Sequence, residues 1–155
     1  MKGTARKKVL FVCLGNACRS PMAETIANKL AGDVMEASSA GLTPLGRVEA
    51  LTLETLLRNG YPPNGLESKA LLDQAFHAAD LVVNMSGRAK EREFAGFAKV
   101  ENWFVEDPYG ADAKLYQRIF EDIEKRVAEL ADRIRKSRHS VAKARNNVRS
   151  GIRKL

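Results

Sequence analysis

The two cysteines of this 155-residue chain lie within six residues of each other, and an arginine follows the second one. The stretch VLFVCLGNACRSPMAE contains Cys13, Cys18 and Arg19. Four apolar residues precede Cys13, and Ser20 with Pro21 is typical of a helix N-terminus, because proline is tolerated at the first helical position. The stretch therefore predicts a strand, a short loop and a helix, with a sulfur nucleophile at the end of the strand.

The loop between Cys13 and Arg19 has the features of an anion-binding site. A loop that leads into a helix N-terminus directs several backbone N–H groups at one point, at the positive end of the helix dipole. These amides would stabilise a thiolate, which is the nucleophilic form of a cysteine. The planar guanidinium of Arg19 can hold two oxygens of a tetrahedral oxyanion. The spacing predicts that Cys13 attacks a phosphate-sized group held by Arg19.

An acid is the third group that such a reaction needs. A sulfur that attacks phosphorus expels an oxygen leaving group, and a poor leaving group must be protonated as it departs. Asp107 lies in the turn sequence DPYG, directly after the predicted strand KVENWFV. We expect its carboxyl to donate that proton, and its carboxylate then to activate the water that hydrolyses the cysteinyl phosphate.

Short apolar runs alternate with helical patterns along the chain. The alternation predicts an α/β fold in which helices cover both faces of a parallel sheet. Because ligands bind beyond the carboxyl ends of the strands in such folds, Cys13 and Asp107 should lie at one edge of the sheet. The predicted strands are residues 9–12, 34–39, 81–85 and 99–105, and the predicted helices are residues 21–31, 47–59, 88–95 and a long one from Ala111.

Length and composition limit the class of protein. At 155 residues the chain is expected to form one domain with a substantial core. It has no apolar run of about 18 residues, and the apolar run near the N-terminus is too short for a signal peptide. We therefore expect a cytoplasmic protein whose cysteines are reactive or buried. His77 and His139 are not spaced as metal ligands, so neither a metal nor another cofactor is expected.

The net charge of +7 resides in the C-terminal tail. Residues 1–132 hold 17 Lys and Arg against all 19 Asp and Glu, whereas residues 133–155 hold nine Lys and Arg and no acidic residue. A seven-residue apolar repeat predicts that the last helix continues through the tail. Ser137 and Gly151 interrupt the apolar seam, so a strong coiled coil is not expected. The repeat consists of Phe120, Val127, Ile134, Val141, Val148 and Leu155.

Three roles remain open for this tail. It could pack on its own body or form a homo-oligomer, bind an anionic surface such as lipid or nucleic acid, or stay solvated. No aromatic residue is interleaved with its basic residues, so no specific nucleic-acid site is expected.

The motif VCLGNACRSPMAE closely resembles the phosphate-binding loop of the low-molecular-weight protein tyrosine phosphatases and of the arsenate reductases that share their fold. The likeness covers residues 7–134 and includes SAG, GRVEALTLETLLRNGY, ESKALL, DLVVNMS and WFVEDPYG. It implies a three-layer α/β/α fold with a four-stranded parallel sheet. Residues 1–134 would form the catalytic domain, and residues 135–155 a basic helical extension.

The resemblance also implies a role for each residue of the motif. Cys13 would be the nucleophile, Arg19 the ligand of the phosphate and of the transition state, and Asp107 the general acid and base. Ser20 would donate to the thiolate, and Cys18 would form a reversible disulfide with Cys13 that prevents irreversible oxidation. Phosphate, sulfate or arsenate would bind to Leu14, Gly15, Asn16, Ala17, Cys18 and Arg19, supported by Asn16, Ser20 and Ser39.

The resemblance leaves a phosphatase and an arsenate reductase open. The segment VENWFVEDPYG is similar to the reductases, but Ser86 stands where thioredoxin-coupled members carry their first relay cysteine. A hydroxyl cannot relay a disulfide, so the alternative is a reductase that uses an external low-molecular-weight thiol. A second alternative is a non-catalytic phosphate-binding interaction module.

The expected pocket walls are Leu45 and Tyr109. Tyrosine-specific members place aromatic rings at both walls, whereas Leu45 carries no ring, so a preference for phosphotyrosine stays open. We expect a phosphomonoester phosphatase of the protein tyrosine type that needs no cofactor. Its substrate would be a phosphorylated protein or a small phosphomonoester.

Overall fold

Four parallel strands form the centre of the fold. The computed structural model describes residues 6–153, except for the side chains of Ala142 and of residues 147–153. Every neighbouring pair of strands is parallel. The predicted parallel sheet is therefore confirmed, and the carboxyl ends of the strands share one edge. The strands are β1 (Lys7–Cys13), β2 (Met35–Gly41), β3 (Leu81–Asn84) and β4 (Val100–Asn102), in the order β2-β1-β3-β4.

Helices cover both faces of the sheet and complete the expected three layers. They are α1 (Arg19–Leu30), α2 (Ala50–Arg58), α3 (Asp73–Ala78), α4 (Lys90–Glu93) and α5 (Ala113–Arg153). Alternate side chains of β1 point to opposite faces. Phe11 and Cys13 pack in one cluster with side chains of α1 and α5, whereas Leu10 and Val12 pack with Phe76 on the other face. β1 is thus buried on both faces, as its uninterrupted apolar run predicts.

The apolar face of α1 does not reach its C-terminus. Met22 and Ile26 are fully buried, whereas Leu30 is 41% exposed. Positions spaced by four drift around a helix of 3.6 residues per turn, so eight residues carry Leu30 away from Met22. The helix also begins at Arg19, two residues before the predicted start, which places the arginine in its first turn.

Other boundaries also differ from the prediction. Helix α2 begins at Ala50 instead of residue 47, and α4 is half the predicted length. Helix α3 was not predicted, because six residues are too few to show a helical period. Strand β4 ends at Asn102 instead of residue 105, because β3 ends at Asn84 and leaves Phe104 no strand to pair with.

The last helix continues without interruption to Arg153, as the seven-residue repeat predicts. Phe120 and Val127 are buried, Ile134 is partly buried against the core, and Val141 is 46% exposed. The side chain of Val148 and all of Leu155 lie outside the described residues. Throughout the part of the chain that is described, no helix is both long enough and apolar enough to cross a membrane.

Two ion pairs join α5 to the rest of the protein, one to strand β4 and one to the turn before β2. The guanidinium of Arg133 donates to both carboxylate oxygens of Glu101, at 3.2 and 2.6 Å. Arg135 donates to both oxygens of Asp33, at 3.2 and 2.9 Å. Bidentate geometry of this kind fixes the direction of the helix as well as its position.

Candidate active site

The loop between β1 and α1 is built so that its amides have no protein partner. Its carbonyl oxygens are taken by the following loop: Thr43 N donates to Leu14 O at 2.8 Å, and Leu45 N donates to Gly15 O at 2.9 Å. By contrast, within the described part of the chain the N–H groups of residues 14–19 donate no hydrogen bond to a protein atom. Six donors at a helix N-terminus form a binding site for an anion.

A single left-handed residue shapes this loop. Asn16 has a φ of +47°, which asparagine tolerates better than most residues. Its side chain is fully buried and its Oδ1 accepts a hydrogen bond from Lys69 N at 2.8 Å. The loop also needs Gly41, because a Cβ there would lie 2.9 Å from both Asn16 Cβ and Leu14 O. The end of β2 therefore determines how closely the loop can approach the sheet.

The sulfur of Cys13 has two hydrogen-bond partners in Ser20, the backbone N–H and the hydroxyl. Asn16 Nδ2 donates to Ser20 Oγ at 2.8 Å and to Ser39 Oγ at 3.0 Å. Because Ser20 Oγ accepts from Asn16, its own proton can point either at Cys13 Sγ, 2.9 Å away, or at Ala40 O, 3.4 Å away. Ser20 N lies 3.4 Å from the same sulfur. Asn16, Ser20 and Ser39 thus form a chain behind the loop that ends at the cysteine.

Arg19 is buried, and its Nε has no hydrogen-bond partner among the described residues. Its Nη1 donates to Met85 O at 2.7 Å and to Val105 O at 3.3 Å. Its Nη2 lies 3.5 Å from Asp107 Oδ2. The Nε is buried and donates to no atom among the residues described. A buried guanidinium with an unused donor beside a cysteine fits an oxyanion ligand.

Asp107 occupies the turn after β4, at the mouth of the site. Its side chain is 47% exposed, and Tyr109 N donates to its Oδ1 at 3.1 Å. This bond holds one carboxylate oxygen and leaves the other directed toward Arg19. The turn thus brings the carboxyl that the sequence singled out to the loop that contains Cys13.

A cavity of about 310 Å³ connects these groups. It is lined by Cys13, Arg19 and Asp107, and by the expected walls Leu45 and Tyr109. Both walls are about half exposed, so the cavity is open to solvent between them. Leu14, Gly15, Ala17 and Cys18 also line it, whereas the side chains of Asn16, Ser20 and Ser39 are buried behind it.

Sequence reasoning missed two residues of this cavity, Thr43 and Arg88. Thr43 lies in the loop after β2, which was considered only for a bulky wall. Arg88 follows β3 in the segment NMSGRAKEREF, whose basic residues were assigned to a short charged helix. Its position three residues after a predicted buried strand was the signal that could have identified it.

Cys18 is buried, like Cys13, and has a tyrosine partner. Its Sγ is 3.2 Å from Tyr116 Oη, and both cysteines are free thiols in this structure. Burial raises the pKa of the Cys18 thiol, although the hydrogen bond from Tyr116 acts in the opposite direction. The expected disulfide with Cys13 stays a prediction. Among the described residues, no three His, Cys, Asp or Glu side chains converge as metal ligands.

Comparison with known proteins identifies relatives along most of the chain. The model of the family described as low molecular weight phosphotyrosine protein phosphatase matches residues 8–140. A protein-arginine-phosphatase of Bacillus subtilis is 28% identical over 148 residues, covering 84% of this chain and 98% of that protein.

Two solved structures have similar sequence identity to this chain and share its fold. A low molecular weight protein tyrosine phosphatase from T. tengcongensis has 30% identity and a TM-score of 0.75, covering 82% of this chain and 99% of that one. An arsenate reductase in the phosphate binding state has 28% identity and a TM-score of 0.75, covering 83% of this chain and 98% of that one.

Proposed function

We propose that this chain, which belongs to the low molecular weight phosphotyrosine protein phosphatase family, hydrolyses phosphomonoesters through a cysteinyl phosphate. The observation that carries the proposal is the buried Arg19 Nε without a protein partner, next to six amides without partners around Cys13. Together they provide donors for the oxygens of a phosphoryl group at bonding distance from a sulfur.

In the first step the thiolate of Cys13 attacks phosphorus. A phosphorus–sulfur bond forms, and the bond between phosphorus and the leaving oxygen breaks. The loop amides and Arg19 stabilise the charge on the equatorial oxygens of the phosphoryl group. Asp107 donates its proton to the leaving oxygen, so that the leaving group departs as a neutral alcohol or phenol.

In the second step water replaces sulfur on phosphorus. The carboxylate of Asp107, left by the first step, accepts a proton from the water as it attacks. The phosphorus–sulfur bond breaks, inorganic phosphate leaves, and Cys13 returns to the thiolate. Ser20 stabilises that leaving thiolate through its hydroxyl, 2.9 Å from the sulfur. Asn16 and Ser39 act through Ser20 and touch no reacting atom.

The substrate we propose is a phosphorylated side chain of a protein. The cavity is open between Leu45 and Tyr109, which provide one aliphatic wall and one aromatic wall. Two kinds of leaving group agree with the names of relatives. One is the phenol oxygen of a phosphorylated tyrosine. The other is the guanidinium nitrogen of a phosphorylated arginine, for which the phosphorus–nitrogen bond breaks and Asp107 donates its proton to that nitrogen. Phosphopeptides that carry each residue in one common sequence would separate them.

The second candidate function is arsenate reduction with an external low-molecular-weight thiol. It is favoured by the similarity to an arsenate reductase that binds phosphate. Arsenate has the shape and charge of phosphate, so the same loop would hold it while Cys13 bonds to arsenic and one arsenate oxygen leaves as water. Two external thiols would then form a disulfide and supply the two electrons that reduce As(V) to As(III), and the arsenic–sulfur bond would break to release arsenite and Cys13. The thiols must be external, because Ser86 cannot replace a relay cysteine.

Hydrolysis of an aryl phosphate tests the proposal. The unaltered protein should release phosphate, and Cys13→Ser should abolish release while still binding phosphate. Acid-quenched turnover should trap phosphate on Cys13. Cys18→Ser is the matched control, because it removes the other thiol and should retain the trapped intermediate. Arsenate-dependent oxidation of added thiol, without phosphate release, would replace the proposal with the reductase.

A further inference from the structure

Arg88 lies at the mouth of the cavity that contains Cys13, and the proposed chemistry gives it no task. It occupies the loop between β3 and α4, and its side chain, 53% exposed, lines the cavity together with Arg19 and Asp107. An arginine in this position faces the leaving group of a substrate, since the phosphoryl group lies deeper, between Cys13 and Arg19.

Hydrogen bonds within the loop fix the backbone of Arg88 relative to the sheet. The buried side chain of Asn84, the last residue of β3, donates to Arg88 O at 2.8 Å. Its Oδ1 accepts from Ser86 N at 3.1 Å and from Ser86 Oγ at 2.6 Å. Arg88 N in turn donates to Ser86 Oγ at 3.1 Å. The guanidinium therefore extends from a defined point beside the site.

Among the described side chains, Arg88 has one long ion pair and no hydrogen bond to a carboxylate. Arg19 and Asp107 pair with each other at 3.5 Å. Among the side chains that the structure describes, the carboxylate paired with Arg88 is that of Glu93, at 3.9 Å, which is too long for a hydrogen bond. When a phosphoryl group occupies Arg19 and Asp107 carries its proton, Arg88 is the charge that remains beside the leaving group.

We propose that Arg88 selects phosphorylated peptides with an aspartate or glutamate next to the phosphorylated residue. The inference rests on the proposed phosphatase function and names the substrate class for that site. A half-exposed guanidinium binds a carboxylate with a bidentate fork and repels a lysine or arginine. A cavity of about 310 Å³ holds the phosphorylated side chain, so Arg88 at its mouth meets the neighbouring residues of the peptide.

Three phosphopeptides that differ only beside the phosphorylated residue test this selectivity. They carry acidic residues, their amides Asn and Gln, or lysines. At low salt, kcat/KM should be about 2- to 5-fold higher for the acidic peptide than for the amide peptide, which is the range of an exposed ion pair. The preference should arise from KM and weaken as salt is added. The lysine peptide should be the poorest substrate.

Two variants and a matched control assign the effect to this side chain. Arg88→Gln should remove the preference, and Arg88→Glu should reverse it in favour of the lysine peptide. Arg92→Gln removes a charge from α4 that does not line the cavity, so it should keep the preference. Arg92→Gln should also retain kcat and KM for a small aryl phosphate.

The outcomes separate this inference from the function on which it rests. Turnover of aryl phosphate with no peptide preference, or a preference that survives Arg88→Gln, overturns the role of Arg88 alone. Equal loss in Arg92→Gln overturns it as well, because the effect would then be one of overall surface charge. Absence of aryl phosphate turnover in the unaltered protein overturns the phosphatase itself.

Discussion

Arg19 Nη2 lies 3.5 Å from Asp107 Oδ2. The residue proposed to bind phosphate and the residue proposed to act as the acid are thus paired within one cavity. The arginine is buried in the first turn of α1, whereas the aspartate is half exposed in the turn after β4. At this distance the two groups form an ion pair without a good hydrogen bond, so the backbone positions of the two residues keep them together. An oxyanion on Arg19 would compete with Asp107 for the same guanidinium and release the carboxyl toward the leaving group.

Removal of the carboxyl at Asp107 should slow hydrolysis according to the leaving group. For phenyl phosphate, Asp107→Asn should lower kcat about 10²- to 10⁴-fold, since general acid catalysis is lost. For p-nitrophenyl phosphate the loss should be smaller, because that leaving group needs less protonation. Glu106→Gln changes the neighbouring carboxylate, which does not line the cavity, and is the control. An equal loss for both substrates would argue against Asp107 as the acid.

Replacement of Asn16 should separate the strain of the loop from its hydrogen bonds. Asn16→Ala loses the amide that bonds Ser20 and Ser39 and keeps a side chain at positive φ, so it should destabilise the protein by about 2–4 kcal/mol. Asn16→Gly loses the same hydrogen bonds, but glycine adopts a positive φ without strain. It should therefore be more stable than Asn16→Ala by about 1 kcal/mol. Urea unfolding measures both.

Both variants should also slow the alkylation of Cys13 to a similar extent, because Ser20 is no longer oriented toward the sulfur. If Asn16→Gly alkylated Cys13 at the rate of the unaltered protein, the chain from Asn16 through Ser20 would have no influence on the nucleophile.

The two cysteines should differ in reactivity at neutral pH. Iodoacetamide should modify Cys13 well before Cys18, because burial raises the pKa of the Cys18 thiol. Peroxide should give a Cys13–Cys18 disulfide in the unaltered protein and irreversible acids of Cys13 in Cys18→Ser, as mass spectrometry would show. Equal overoxidation of Cys13 in both proteins would exclude a protective role for Cys18.

The ion pair of Glu101 should make stability depend on pH. Burial disfavours the charged carboxylate, but hydrogen bonds from Arg133 and Trp103 outweigh it and lower the pKa of Glu101 below its ordinary value of 4.5. Because the pKa of Glu101 is lower in the folded state than in the unfolded state, the carboxylate stabilises the fold at any pH above its unfolded-state pKa. This stabilisation is lost as the pH falls through the folded-state pKa. Glu101→Gln should cost about 0.5–1 kcal/mol at pH 7.

The difference between Glu101→Gln and the unaltered protein should shrink below about pH 4. Glu36→Gln replaces an exposed carboxylate on β2 and should show no such change. A constant difference across this pH range would mean that Glu101 acts through packing instead of charge.

Truncation after Ile134 should separate the tail from catalysis. Every residue that lines the cavity precedes residue 110, so aryl phosphate turnover should stay within about 2-fold of the full chain if packing is retained. We expect the truncation to change sedimentation or binding to anionic vesicles, because it removes eight Lys and Arg and no acidic residue. If neither changed, the tail would have no role in association or surface binding.

Much of the fold was predictable because its signals are local. The run VLFV has the composition of a strand buried on both faces, and β1 is such a strand. The alternation of strands and helices predicts a parallel sheet, since such connections are right-handed crossovers. The end of β4 and helix α3 were not predictable, because the first depends on where β3 stops and the second is too short to show a period.

The sequence by itself determined the candidate chemical groups: a cysteine at the end of a buried strand, an arginine at the start of a helix, and an aspartate after a later strand. These are set by residue type and by spacing along the chain. Only the tertiary structure decided which donors stay without partners, which hydroxyl faces the sulfur, and that Arg88 shares the cavity. The physical reason is that hydrogen-bond satisfaction and charge pairing depend on distances between segments remote in sequence, which no local pattern encodes.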